Sequence, residues 1–78
     1  MRNPNRIYLF TQKLCYEWAT NLPDMRFGQL ISNAMLYHDT DENWFFYAEE
    51  DEMLRMILEY IDHAKEEISR WNSRSAIE

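Results

Sequence analysis

The residue types that could carry covalent chemistry in this 78-residue chain are few: one thiol, Cys15, and two imidazoles, His38 and His63. A nucleophile needs a base within hydrogen-bond reach, and Cys15 lies in an apolar helical pattern that marks it as a buried small hydrophobe. With a single glycine, Gly28, the chain has no glycine-rich turn to build an oxyanion hole. His38, Asp39 and Asp41 offer nitrogen and oxygen ligands at short spacing, of the kind that suits calcium or magnesium. The loop nevertheless lacks both the glycine and the glutamate twelve residues from the first ligand that an EF-hand uses, and solvated loop carboxylates account for the same residues. A pair of catalytic carboxylates needs a cleft that so small a chain has little room to form. The sequence therefore reads as a non-enzyme with no cofactor and no metal.

Recognition chemistry is better represented. Asp39, Asp41, Glu42, Glu49, Glu50, Asp51 and Glu52 place seven acids within fourteen residues, with no base among them and with Trp44 and Phe45 at their centre. Such a surface steers toward a basic partner, while the aromatic rings offer contact area. These nine residues are the candidate partner-binding set, and a basic, nucleic-acid-handling protein is the partner they fit. Helix starts and solvated loops also collect acids for structural reasons. A second candidate set is the polar row Arg26, Gln29 and Asn33 at helical spacing. It could read an anion or nucleotide with Trp44, Phe45 or Tyr47 stacked on it, or Arg26 could hold a carboxylate of the acidic loop.

Composition limits the alternatives. Fourteen acidic against eight basic residues give a net charge of −6, which opposes direct nucleic-acid binding because that affinity comes largely from Lys and Arg on phosphates. No apolar run approaches the roughly 18 residues of a membrane span, and Met1 to Pro4 lead into no signal-peptide core, so the expected location is cytoplasmic. A hydrophobic content of 46% with 15% aromatic residues marks a folded chain.

The elements that must position these residues are helical. Asn3-Pro4 opens a first helix over 4–21, with Ile7, Phe10, Leu14 and Trp18 on its core face and Pro23 ending it. A second helix is predicted over 25–36, capped by Asp24, with Phe27, Leu30, Ile31 and Ala34 as its apolar stripe. Gly28 within it implies close approach by Trp18 or Trp44. Residues 37–47 show no helical period and read as a polar turn followed by an aromatic run. That run either lies as a lid across the helices or leaves rings exposed, and a short strand is an option without a pairing partner. A third helix over 49–71 starts on four acids, favourable at the positive end of the helix dipole. It carries a heptad-like seam of Leu54, Ile57, Ile61, Ala64, Ile68 and Trp71. This helix is long enough to outrun the others, so its end needs a cover, and a homodimer through the seam is the expectation. The fold class is all-α: one small three-helix domain over 1–71 with a mobile tail at 72–78.

The stretch Asp24-Met25-Arg26-Phe27-Gly28-Gln29-Leu30-Ile31-Ser32-Asn33, followed by Phe46-Tyr47-Ala48 and the acidic helix start at Glu49, resembles a group of small helical proteins of bacteria and their phages. Their pattern is Asp-x-Arg-Phe/Leu-Gly-Gln-Leu-Ile-x-Asn, then Asp-Pro-Phe-Tyr. The likeness covers roughly residues 4–60 and implies the three-helix layout without an activity. Trp44-Phe45 stands here where the group has Asp-Pro, and the extension through Ile68 and Trp71 goes beyond it. In composition alone, the chain is similar to small acidic helical phage inhibitors, many anti-CRISPR proteins among them.

Overall fold

The computed structural model describes residues 2–77, with side chains described over 2–71. The chain is all-α, with helices α1 (Asn5–Asn21), α2 (Phe27–Tyr37), α3 (Glu42–Tyr47) and α4 (Glu50–Ile77), and no strand among the described residues. No helix is long and apolar enough to cross a membrane among the described residues.

The start of α1 follows its sequence signal. The Asn3 side-chain oxygen accepts the Asn5 N–H at 3.0 Å, and the Ile7 N–H bonds the Pro4 carbonyl, so Pro4 opens the helix at a position where its missing N–H costs nothing. Pro23 ends it, and the Trp18 indole N–H donates to the Met25 carbonyl at 2.9 Å across the turn. The second helix starts two residues later than predicted. Arg26 is its extended first flank, and the Gln29 side chain reaches back to accept the Arg26 N–H at 3.0 Å. That is half of a capping box, and it takes the role expected of Asp24.

The end of α2 is a Schellman closure. Asp39 adopts φ +54°, its N–H bonds Leu36, and the Thr40 N–H bonds the Met35 carbonyl, a pattern usually built on glycine in this left-handed position. The aromatic run that follows is neither strand nor lid. Asp41 accepts the Trp44 N–H at 3.1 Å and nucleates α3, whose helical turn sends Phe45 into the core and leaves Phe46 and Tyr47 outside.

The starts of α1 and α4 are joined by Arg6–Glu50, and Ile68 stands beside Asn21 and Leu22 at the other end, so these two helices run parallel. Helix α2 runs antiparallel to α4: the Asn33 amide donates to the Tyr60 hydroxyl at 3.1 Å, and His38 meets the Met56 carbonyl one end further up. Both α1 and α2 pack on α4 and make little contact with each other. The core between them is Leu14, Leu22, Leu30, Ala34, Phe45, Ile57 and Ile61, with Leu30, Ile57 and Ile61 fully buried.

Three packing expectations are corrected. Cys15 is exposed, because it follows the buried Leu14 and each helical residue turns about 100° from the last. Ile7 and Phe27 are half or nearly half exposed, since α4, the main packing partner of α1, cannot cover its broad apolar face, and Phe27 meets Trp18 at a tilted ring separation of 5.5 Å. Gly28 faces open space: apart from its chain neighbours and the backbone of its own helix, no atom lies within 4 Å of where its Cβ would stand.

Helix α4 keeps its helical backbone to Ile77, past the boundary at 71 that its apolar period indicates. The nine residues after Ile68 extend about 13 Å beyond the end of α1, which gives the molecule its long dimension of 57 Å against 24 and 17 Å. The mobile tail expected at 72–78 concerns residues whose side chains lie outside those described.

Candidate functional site

The acidic residues meet at the end of the molecule where α3 sits and where α1 and α4 begin. They do not form one free negative surface. Glu49 pairs with Arg2 and Glu50 with Arg6, both at 2.9 Å, the second pair partly buried. These contacts join the start of α1 to the start of α4 across more than forty residues of sequence. Asp41 is engaged as the cap of α3, and the Asp51 carboxylate accepts the neighbouring Glu52 N–H at 2.9 Å. Asp39, Glu42, Asp51 and Glu52 are exposed and make no ion pair among the described residues.

The aromatic partners of this acidic end also differ from the expected pair. Phe45 is a core residue and Trp44 is half-buried against its edge at 5.3 Å, so neither is free to anchor a partner as a whole ring. Phe46 and Tyr47 take that place, 80% and 74% exposed and stacked edge to face at 5.0 Å. The run Trp44 to Tyr47 holds all four rings within a little over one helical turn. Only the Asp41 cap, three residues before Trp44, carried a signal for which of them would turn inward.

The polar row is separated from the aromatics it was expected to work with. Gln29 and Asn33 lie toward the start of α2 and line a groove of about 610 Å³ with Asn21, Leu22, Pro23, Asp24, Met25 and Ile68, while α3 stands beyond the other end of α2. Eleven residues of helix, about 16 Å, lie between the two ends. Trp44, Phe45 and Tyr47 therefore cannot stack on a ligand held by Arg26, Gln29 and Asn33. Gln29 caps α2, Asn33 holds Tyr60, and Arg26 makes no ion pair among the described residues and holds no acidic-loop carboxylate.

Of the seam on α4, Ile57 and Ile61 are fully buried within the chain's own core, with Leu54 and Ala64 packed against it. A second copy cannot use Ile57 and Ile61, because the chain's own core already covers them, and Leu54 and Ala64 are partly covered. Ile68 and Trp71 remain 48% and 68% exposed.

Cys15 lines an apolar groove of about 420 Å³ along α1 with Thr11, Leu14, Trp18, Ala19 and Pro23, and neither histidine reaches it. His38 donates from Nε2 to the Met56 carbonyl at 2.8 Å, since a carbonyl can only accept, and stands 3.7 Å from the Glu59 carboxylate. The His63 ring stacks on Tyr37 at 4.7 Å. No group of three His, Cys, Asp or Glu side chains converges to hold a metal among the described residues. Comparison with protein families, curated proteins and solved structures gives no match to this chain.

Proposed function

We propose that the chain is a non-enzymatic interaction protein whose α3 end binds, and thereby inhibits, a basic protein partner, with nucleic-acid-handling proteins the class that this chemistry fits. The observation that carries the reading is the placement of Phe46 and Tyr47. Two large rings stand almost fully in water near the acids Asp39, Glu42, Asp51 and Glu52, which have no internal counter-charge among the described residues. Exposed aromatics supply anchoring area and unpaired acids supply steering. A cytoplasmic setting and self-association belong to the same reading. A small-anion binder built on Arg26 is the weaker account, because Gln29 and Asn33 are already engaged in holding α2 and its neighbour.

The test is capture of partners from a nuclease-treated bacterial lysate with the wild type, Phe46→Ala/Tyr47→Ala and Asp51→Asn/Glu52→Gln, followed by affinity measurement for any recovered protein at low and high salt. Glu49 and Glu50 are left intact because their loss would loosen α1. A basic protein that binds the wild type, loses affinity at least about tenfold to each variant and weakens with salt is the expected result. Recovery of nothing, or equal binding by all three proteins, overturns the reading.

A further inference from the structure

The α4 overhang and the groove beside it make a knob and a hole on one chain. Ile68 forms part of the wall of the groove shared by Leu22, Pro23 and Met25, and Trp71, one helical turn further along, projects into water. We propose that a second copy of this chain covers this end. In that pairing the two α4 segments run antiparallel about a two-fold axis between Ile68 and Trp71, and the partner's Trp71 enters the groove at Ile68. In an antiparallel pair with that axis, residue 68 of one copy lies opposite residue 71 of the other. Each tryptophan therefore reaches the other copy's groove by the same operation, the self-complementary contact that a two-fold dimer requires.

The charge distribution permits a second copy at this end and opposes one at the other. Between 39 and 52 the chain has seven acids and no base, whereas between 62 and 77, the stretch that this register overlaps, it has three bases and three acids, and the groove adds Asp24. Glu67 is paired with Arg70, and Asp62 with Lys65. Two copies of an acidic protein thus meet here with far less like-charge repulsion than at their α3 ends, which are held apart. The overhang spans only nine residues beyond Ile68, so the pairing lies at the small end of specific interfaces, below about 1,200 Å² in total. A dimer dissociating in the micromolar range is expected. The inference rests on the self-association part of the proposed reading and not on the α3 surface.

The test is sedimentation equilibrium of the full chain, under reducing conditions, from low micromolar to several hundred micromolar, for the wild type and Trp71→Ala. The wild type should show a reversible monomer–dimer equilibrium, and Trp71→Ala should weaken it by about 30-fold or more, as loss of a central aromatic anchor does. Melts of the two proteins at low concentration should coincide, because Trp71 makes no contact that the monomer's core needs. Direction is read from spin labels on Asp62→Cys in a Cys15→Ser background. The antiparallel pairing separates the two label sites by about 22 Å along the helices, whereas a parallel pairing brings them to about 10 Å. A monomer at every concentration, a dimer unaffected by Trp71→Ala, or the short separation each overturns the proposal. Those results leave the salt-dependent capture by the α3 end to stand or fall by itself.

Discussion

Replacing Asp39 by glycine should stabilise the protein, and the reason is conformational and electrostatic at once. Asp39 holds φ +54° at the closure of α2, a left-handed backbone that costs an L residue about 1–2 kcal/mol, with Asp at the tolerant end of that range. Glycine removes that cost and adds unfolded-state entropy of about 0.4–1 kcal/mol in the opposite sense. The substitution also removes a carboxylate from the negative end of the α2 dipole, a contribution of about 0.3–1 kcal/mol at an exposed site. The net expectation is a gain of about 1 kcal/mol, or about 4–8 °C in a domain of this size.

Thermal and urea melts of Asp39→Gly, Asp39→Asn and Asp39→Ala separate the two contributions. Asn keeps the shape and tolerance of the side chain while removing its charge, so it should recover only the dipole part. Ala removes the charge but keeps a Cβ with no local hydrogen bonding to offset it, so it should rank below Asn. An Asp39→Gly protein no more stable than the wild type would refute the reasoning. So would equal gains for all three variants, since charge alone would then explain them.

Gly28→Ala should also stabilise, by about 0.5–1 kcal/mol, because the added methyl meets no atom within 4 Å beyond its chain neighbours and its own helix's backbone; a loss in a urea melt would mean that something packs there after all. Ile61→Ala removes a fully buried side chain and should cost about 2–5 kcal/mol, a large part of the total stability of so small a domain. That loss should be as great at low protein concentration as at high, which separates Ile61 from the exposed end of the same seam. Arg6→Ala breaks a partly buried pair with Glu50 at 2.9 Å and should cost about 1 kcal/mol in low salt, less in high salt. Equal losses at both salt levels would assign its role to packing of the side-chain stem.

The elements with strong period were legible in the sequence, and those set by contacts across the fold were not. Ile57 and Ile61 repeat with Leu54 at helical spacing and do form the core, but the same seam continues through Ile68 and Trp71 without any local sign that α1 ends level with Ile68. Where the core stops is a property of the relative lengths of α1 and α4, not of α4. The same limit explains Cys15, whose apolar neighbours on α1 exceed what α4 can cover. The short α3 was hidden because four adjacent aromatics have no period, and its start depends on one side-chain bond from Asp41. The acids were legible as a cluster, yet their division into engaged and free members depends on Arg2 and Arg6, more than forty residues away.

That division bears on what the acidic end can do. Helices α1 and α4 run parallel, so their positive dipole ends lie side by side, and Arg2 and Arg6 add positive charge to the same end. Carboxylates at Glu49 to Glu52 are stabilising there whatever else they touch. Composition alone is therefore a weak argument for a binding surface, since half of the acidic start of α4 is accounted for by keeping α1 docked. Function has to rest on groups that the fold does not need: the exposed rings of Phe46 and Tyr47 with the unpaired acids at one end, and Trp71 at the other. These groups are separated along α4 by more than 20 residues, about 30 Å. If Trp71 joins two copies as proposed, the two α3 ends point away from each other about 60 Å apart. One dimer then presents two equivalent acidic faces, and it gains avidity only for a partner that repeats its basic surface at that spacing.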